Sequence, residues 1–182
     1  MLRRPFVLPV IAALLASAVA PAEGKVYLTQ PEALKEAFPD RATVERRNLF
    51  LGGAQARAAA KESGEEIPPG VVTYYVGRGA SGVLGYAYFD AHLVRTLPET
   101  IMVLVKPDGT LGKIVILSFA EPEDYLPRPA WLDQFPGRRL DADLALRRGV
   151  RNFTGASLTA TAITSACRRV LAIHHQVKQE PH

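Results

Sequence analysis

The stretch "TIMVLVKPDGTLGKIVILSFAE", residues 100–121, constrains this chain more than any other. Two apolar runs, 101–105 and 114–119, flank Pro107-Asp108-Gly109. Proline, aspartate and glycine in that order favour a tight reversal, so the two runs read as an antiparallel hairpin. The segments just before it carry the same signature. "VVTYYVGRG" and "GVLGYAYFDAHLV" are rich in β-branched and aromatic residues and are separated by a turn at Gly79 to Gly82. Three or four antiparallel strands follow from these segments. "TVERRNLFL", residues 43–51, is a further candidate strand.

Helices flank this β region. "LTQPEALKEAFPD" reads as a short helix with Thr29 at its N-cap, Glu32 in capping-box position, Pro31 in the first turn and Pro39 ending it. "GGAQARAAAKESG" is a second helical stretch, stopped by Gly64, and "EEIPPG" is a linker. Residues 120–150 are loop-like, with Pro122, Pro127, Pro129, Pro136 and Gly137 among them, yet they hold Tyr125, Trp131 and Phe135. Trp131, Leu132 and Phe135 would fit one packed helical turn. From about Leu158 to Val177, apolar residues recur at 159 or 160, 163, 166, 170, 173 and 177, which is helical spacing with one buried face. Arg168, Arg169 and Lys178 are expected on the outer face and at the C-terminal end, where the helix dipole favours cations. The expected fold class is α+β: a small antiparallel sheet with flanking helices and a long C-terminal helix.

The turn entering that helix is "NFTGASLTATAIT", an uncharged stretch crowded with the hydroxyls of Thr154, Ser157, Thr159 and Thr161. A glycine turn at a helix N-terminus presents free N–H groups and the positive end of the dipole, a seat suited to phosphate. The competing reading is that Ser157 or Thr154 only caps the helix. Asn152-Phe153-Thr154 also forms a glycosylation sequon, read here as a chance match because a glycan would block the seat.

The N-terminus reads as an address. Arg3 and Arg4 precede an uncharged apolar run from Phe6 to Ala20, and Ala20-Pro21-Ala22 fits a small-x-small cleavage site. About fifteen residues is short for a bilayer-crossing helix of ~20, so residues 1–22 are expected to be a signal peptide and the mature domain to run from Glu23 to His182. An uncleaved anchor is the alternative. Removing residues 1–22 lowers the formal charge of the 182-residue chain from +4 to +2. The remaining arginines occur as scattered pairs, so nothing points to a nucleic-acid partner. Cys167 is the sole cysteine; it can form no internal disulfide and reads as a small buried hydrophobe. His174 and His175 are adjacent and make a poor metal clamp on a helix.

"FTGASLTATAIT" resembles the S/T-G-A-T/S-x-T/S signature of the FMN-binding domain family. That family includes the exported G subunit of the Rnf complex and the C subunit of the sodium-pumping NADH:quinone reductase. "LTQPEALKEAFPD" is similar to the family's opening helix, and "GYAYF" and "IMVLVKPDGTLGKIVILSFAEPEDY" to its central strands. "WLDQFPGRRL" is similar to the segment preceding the flavin motif, so the likeness extends over residues 26–177. It implies an FMN bound by a phosphoester to the fourth residue of the motif, Ser157, installed by a separate flavin transferase. Thr154, Gly155 and Ala156 would form the turn, and Leu158 and Thr159 would continue the seat. Glu121 and Tyr125 are carried over as flavin contacts. Trp131 is added as a wall for the ring, the competing reading being that it roofs the core.

Two positions depart from the pattern: Arg151 stands where flavinylated proteins often have Asp, and "EPEDYLP" replaces a glycine-rich run. The resemblance implies an exported, periplasmic or otherwise extracytoplasmic, electron-transfer flavoprotein with membrane-associated redox partners. A flavin-dependent reductase of a small substrate and a cofactor-free binding module are the alternatives. No cluster of acid, base and nucleophile stands out: His92, Glu121 and Asp124 are not tied together by spacing.

Overall fold

The computed structural model describes residues 24–179. The expected signal peptide, residues 1–22, and the expected mature start at Glu23 lie outside the described residues. Six strands form one antiparallel sheet: β1 (Lys25–Val26), β2 (Thr43–Leu51), β3 (Gly70–Gly79), β4 (Gly82–Leu93), β5 (Pro98–Val105) and β6 (Leu111–Phe119), in the spatial order β1-β6-β5-β4-β3-β2. Four helices accompany it: α1 (Gln30–Ala37), α2 (Gly53–Ser63), the single turn α3 (Pro129–Leu132) and α4 (Ser157–Gln179). The expected α+β architecture is therefore the observed one.

The hairpin read from the sequence is β5–β6, with Ile101 opposite Ile116 and Val103 opposite Ile114. Asp108 builds its turn: one carboxylate oxygen accepts both the N–H and the hydroxyl of Thr110, at 2.9 and 2.7 Å. Both faces of this hairpin are buried. Ile101, Val103 and Val105 point to the main core, while Met102 and Val115 point to a smaller core on the opposite face. That explains the continuous apolar runs, which a half-exposed strand would break with alternate polar residues.

The main core lies between the sheet and the α2–α4 layer. Leu49, Tyr88, Ile163, Val170 and Leu171 meet there, with Trp131 and Phe135 of the α3 segment closing one end. The smaller core lies under α1, where Ala33 and Phe38 cover Ala87, Met102 and Leu117. Glu32 serves α1 as expected in part: its carboxylate accepts both the N–H and the hydroxyl of Thr29.

α4 is buried more broadly than its apolar spacing suggests, because Thr164, His174 and Gln176 are buried as well. Arg168 and Arg169 are not on a solvated outer face, contrary to the sequence reading. Arg168 donates to the carbonyls of Ser63 (2.6 Å), Asp141 (2.8 Å) and Leu144 (3.0 Å). It thereby fastens the C-terminal end of α2 and the long loop to α4, a favourable place for a cation. Arg169 pairs with Asp90 on β4 at 2.8 Å. A periodicity argument assigns charge to solvent by default; the carbonyls of α2 and the long loop overrode it for Arg168, and the Asp90 carboxylate for Arg169.

Gly77 is a close-approach position. A Cβ there would lie 2.2 Å from the Phe38 ring, so the ring packs directly on the β3 backbone. Gly77→Ala is expected to push Phe38 out of the smaller core and destabilise the protein by about 1–3 kcal/mol, the usual cost of overpacking. Chemical denaturation of the variant checks this.

Candidate functional site

The site forms where three segments meet: the β4–β5 connection, the turn after β6, and the N-terminal end of α4. The connection is short, closed by the Val94 N–H donating to the Leu97 carbonyl at 3.1 Å. Its three N–H groups at Arg95, Thr96 and Leu97 all donate to Glu121 Oε1, at 3.2, 2.8 and 3.0 Å. The bonds from Thr96 and Leu97, and then Arg95, stabilise the carboxylate and hold it below the usual glutamate range. Glu121 thus clamps the β4–β5 connection to the end of β6, a role that sequence alone did not indicate.

Beyond Glu121 the chain makes a 3-10 turn at Glu123–Tyr125. The Tyr125 carbonyl accepts the hydroxyl of Thr159 at 2.9 Å. Thr159 is 1% exposed, so its hydroxyl is committed to joining α4 to this turn. Asp124 is exposed.

The entry to α4 is built by Gly155, whose φ of +91° gives the left-handed turn that a side chain would strain. Ala156 follows; its carbonyl accepts the N–H of Ala160 at 3.1 Å, which makes it the N-cap. Alanine has no side-chain oxygen to offer the helix, and it is a poor N-cap for that reason. Neither Thr154 nor Ser157 occupies the capping position. The first N–H groups of α4 therefore lack the side-chain acceptor that a capping residue supplies. Ser157 is exposed at the first helical position, and its Oγ accepts a hydrogen bond from Asn152 Nδ2 at 2.7 Å.

Between these segments lies a cleft of about 280 Å³. Gly155, Ala156, Ser157, Leu158 and Thr159 form one side; Val94, Arg95, Glu121 and Tyr125 form the other. Seven of the sequence-derived site residues thus converge. Thr154 is exposed beside the cleft and does not line it. Trp131 does not line it either. Its ring packs edge-on against Phe135 and Phe153, each at 5.1 Å, and its indole N–H donates to the Arg151 carbonyl at 2.6 Å. The roof-of-the-core reading of Trp131 is the one the geometry matches, and its link to the site runs through the backbone of Arg151. Gln134 reinforces that link by accepting the Arg151 N–H at 2.8 Å.

Val94 and Arg95 were missed by the sequence reading. A single arginine in "HLVRTLPE" carries no motif; only the hairpin geometry brings it to the wall of the cleft, beside Glu121.

A second groove adjoins the first through Val94 and Leu158 and reaches His92 and Arg169. His92 is not isolated. Nδ1 meets Asp90 at 2.8 Å and Nε2 meets the fully buried Glu99 at 3.1 Å. Burial opposes the imidazolium, but the hydrogen bonds and charges of Asp90 and Glu99 outweigh it and raise the histidine to about 9. Burial raises the Glu99 carboxyl as well. Among the described residues no group of side chains is arranged to hold a metal ion, and no helix is long and apolar enough to cross a membrane. No protein-family model matches the chain, and no curated protein is significantly similar to it.

Two pH responses follow. His92 has a raised folded value, so its stabilisation is complete below the ordinary histidine value of about 6.5 and is lost as pH rises through about 9. His92→Gln is expected to flatten the fall in stability between those limits, measured by denaturation at pH 6 and pH 9.5. Glu121 has the opposite sign: its stabilisation is present above the unfolded glutamate value and disappears as pH falls through its lowered folded value. Glu121→Gln should therefore be less stable than the parent at pH 7, with the difference shrinking towards pH 3.

Proposed function

We propose that the chain is an exported flavoprotein that carries FMN as a phosphoester on Ser157 and passes electrons between redox partners. The observation that carries this reading is the cleft itself. The motif turn, Glu121 and Tyr125 were singled out by likeness to FMN-binding domains, and they line one concavity.

The residues fit a phosphate. The open N-terminal turn of α4 supplies backbone donors and the positive end of the dipole. Arg95 adds a full positive charge on the facing wall. Ala156 leaves the helix end without a capping oxygen that would compete for those donors. Ser157 holds an exposed hydroxyl whose oxygen is oriented by Asn152. Thr159, the rival hydroxyl, is buried and engaged with Tyr125. The concavity is at the small end of ligand pockets, which span about 300–1,000 Å³. It would take the phosphate and part of the remainder, leaving an edge in solvent for partners to approach. The flavin, when bound, supplies reversible electron uptake and release, while the chain supplies position and charge. A covalent tether suits an extracytoplasmic carrier because a lost cofactor is not easily replaced there.

The chain is expected to emerge yellow from a host that has the flavin transferase, and to keep its colour on denaturation. Ser157→Ala should be colourless and folded. Mass mapping that finds the flavin on another residue, or a colourless parent protein, would defeat the assignment. Trp131→Phe should leave the flavin spectrum unchanged, since the indole faces the core. Tyr125→Ala should shift it. Steady turnover of a small organic substrate by the isolated protein would favour a reductase over a carrier.

A further inference from the structure

Ser157 shares the stretch that enters α4 with the hydroxyls of Thr154, Thr159 and Thr161, and its hydrogen bonding differs from theirs. Thr159 donates its hydroxyl proton to the Tyr125 carbonyl at 2.9 Å, and Thr161 donates its own to the Ser157 carbonyl at 2.9 Å. Thr154 is exposed, and its hydroxyl has no hydrogen bond among the described residues. Ser157 Oγ alone accepts: Asn152 Nδ2 donates to it at 2.7 Å, and no acceptor among the described residues takes its proton. We infer that this chain assists its own modification, with Asn152 holding Ser157 Oγ as the attacking atom and Gln134 positioning Asn152. The inference rests on the flavin reading of Ser157.

The direction of the bond to Ser157 follows from the other half of the amide. Asn152 Oδ1 accepts the Phe153 N–H at 3.0 Å, so the oxygen is committed there and the NH2 group faces Ser157. Asn152 follows Arg151, whose backbone is held firmly. Gln134 Oε1 accepts the Arg151 N–H at 2.8 Å, and Gln134 Nε2 donates to the Arg151 carbonyl at 3.3 Å. The Trp131 indole N–H donates to the same carbonyl at 2.6 Å. One side-chain amide thus meets both polar groups of one residue, as a neighbouring strand would. Trp131 and Phe135, on either side of Gln134 in the chain, are buried in the main core, so that amide stands on a fixed base. The line from core to nucleophile is Gln134, the Arg151 backbone, the Asn152 amide and Ser157 Oγ.

In the attachment, Ser157 Oγ forms a bond to the flavin-side phosphorus of flavin adenine dinucleotide. The bond from that phosphorus to the bridging oxygen of the pyrophosphate breaks, and AMP leaves with that oxygen. No electrons are exchanged. The Ser157 proton goes to a base of the transferase, since an amide NH2 group cannot take it. The Asn152 N–H occupies one lone pair of Oγ and leaves the other for phosphorus. It also meets the negative charge that develops on Oγ as the proton departs. Holding the nucleophile in one orientation removes part of the entropic barrier. The same arrangement selects among the hydroxyls: Ser157 presents an oriented oxygen with a free proton, whereas Thr159 and Thr161 have spent theirs on carbonyls.

The test follows attachment of flavin to the full protein by a flavin transferase supplied with flavin adenine dinucleotide, read as covalent flavin fluorescence after denaturation. Asn152→Ala is expected to lower the maximal rate about tenfold to hundredfold, the range for losing a hydrogen bond to a charged group, with KM for the protein unchanged. Gln134→Leu should lower it by a smaller factor. Gln134→Glu, which keeps the shorter bond to the Arg151 N–H, should recover most of that loss. A second readout needs no flavin. The Asn152 side-chain amide signal in nitrogen NMR should move in Ser157→Ala and in Gln134→Leu, and much less in Gln134→Glu. Attachment at the parent rate in either Asn152→Ala or Gln134→Leu overturns the inference. So does a loss confined to KM, or an Asn152 amide signal indifferent to Ser157→Ala. Should Asn152→Ala not fold, the two Gln134 variants decide. A parent protein that takes no flavin at Ser157 defeats the flavin reading, and this inference with it, before any variant is compared.

Discussion

α4 is the element on which the other features depend, and its seating rests on the pair of arginines at its middle. Ile163, Val170 and Leu171 bury an ordinary apolar face. That face alone would leave the helix free to slide or rotate by small steps, because apolar contact is not directional. Arg169 fixes the register against β4 through Asp90, and Arg168 fixes it against α2 and the long loop through three carbonyls. Charge-assisted bonds of this kind carry geometry as well as energy. With the middle pinned, both ends acquire defined neighbours: the Glu121 clamp at the N-terminus and the β5–β6 turn at the C-terminus.

The buried cluster beneath the helix has a second effect. His92 sits between Asp90 and Glu99, and Asp90 also holds Arg169. Two carboxylates and two cationic groups share one partly dry site, so removing any member strands another. The helix position and the protonation of His92 are thereby linked. A proton lost from the histidine weakens the surroundings of the same carboxylate that holds α4.

Strands β2 to β6 were legible in the sequence because each is long, β-branched and bounded by turn residues, and Pro107-Asp108-Gly109 set the β5–β6 pairing; β1, only two residues long, carried no such signal. The long C-terminal helix was legible from its period. What could not be read were effects of assembly. Arg168 and Arg169 look like surface charge until α2 and β4 are in place. Trp131 looks like a ligand wall because loops often carry function, yet Phe135 and Phe153 enclose it. The motif turn, Tyr125 and Glu121 were singled out by likeness and converge on one cleft, but the place of Arg95 beside them and the clamp by Glu121 are products of a hairpin closing next to a helix end. No local pattern announces either.

The two edges of the sheet differ sharply. β1 is two residues long and covers only the Ser118–Phe119 end of β6, whereas β2 is a nine-residue strand with one side unpaired along its length. Phe50 on that strand is 72% exposed and its cross-strand neighbour Val71 59%. The composition that keeps this edge from recruiting other chains is Glu45-Arg46-Arg47 at its middle, charges that a foreign strand would have to desolvate or repel. The protection is electrostatic and therefore salt-dependent. Concentrated salt shortens its range while strengthening the apolar attraction at Phe50, so pairing through this strand is favoured as salt rises.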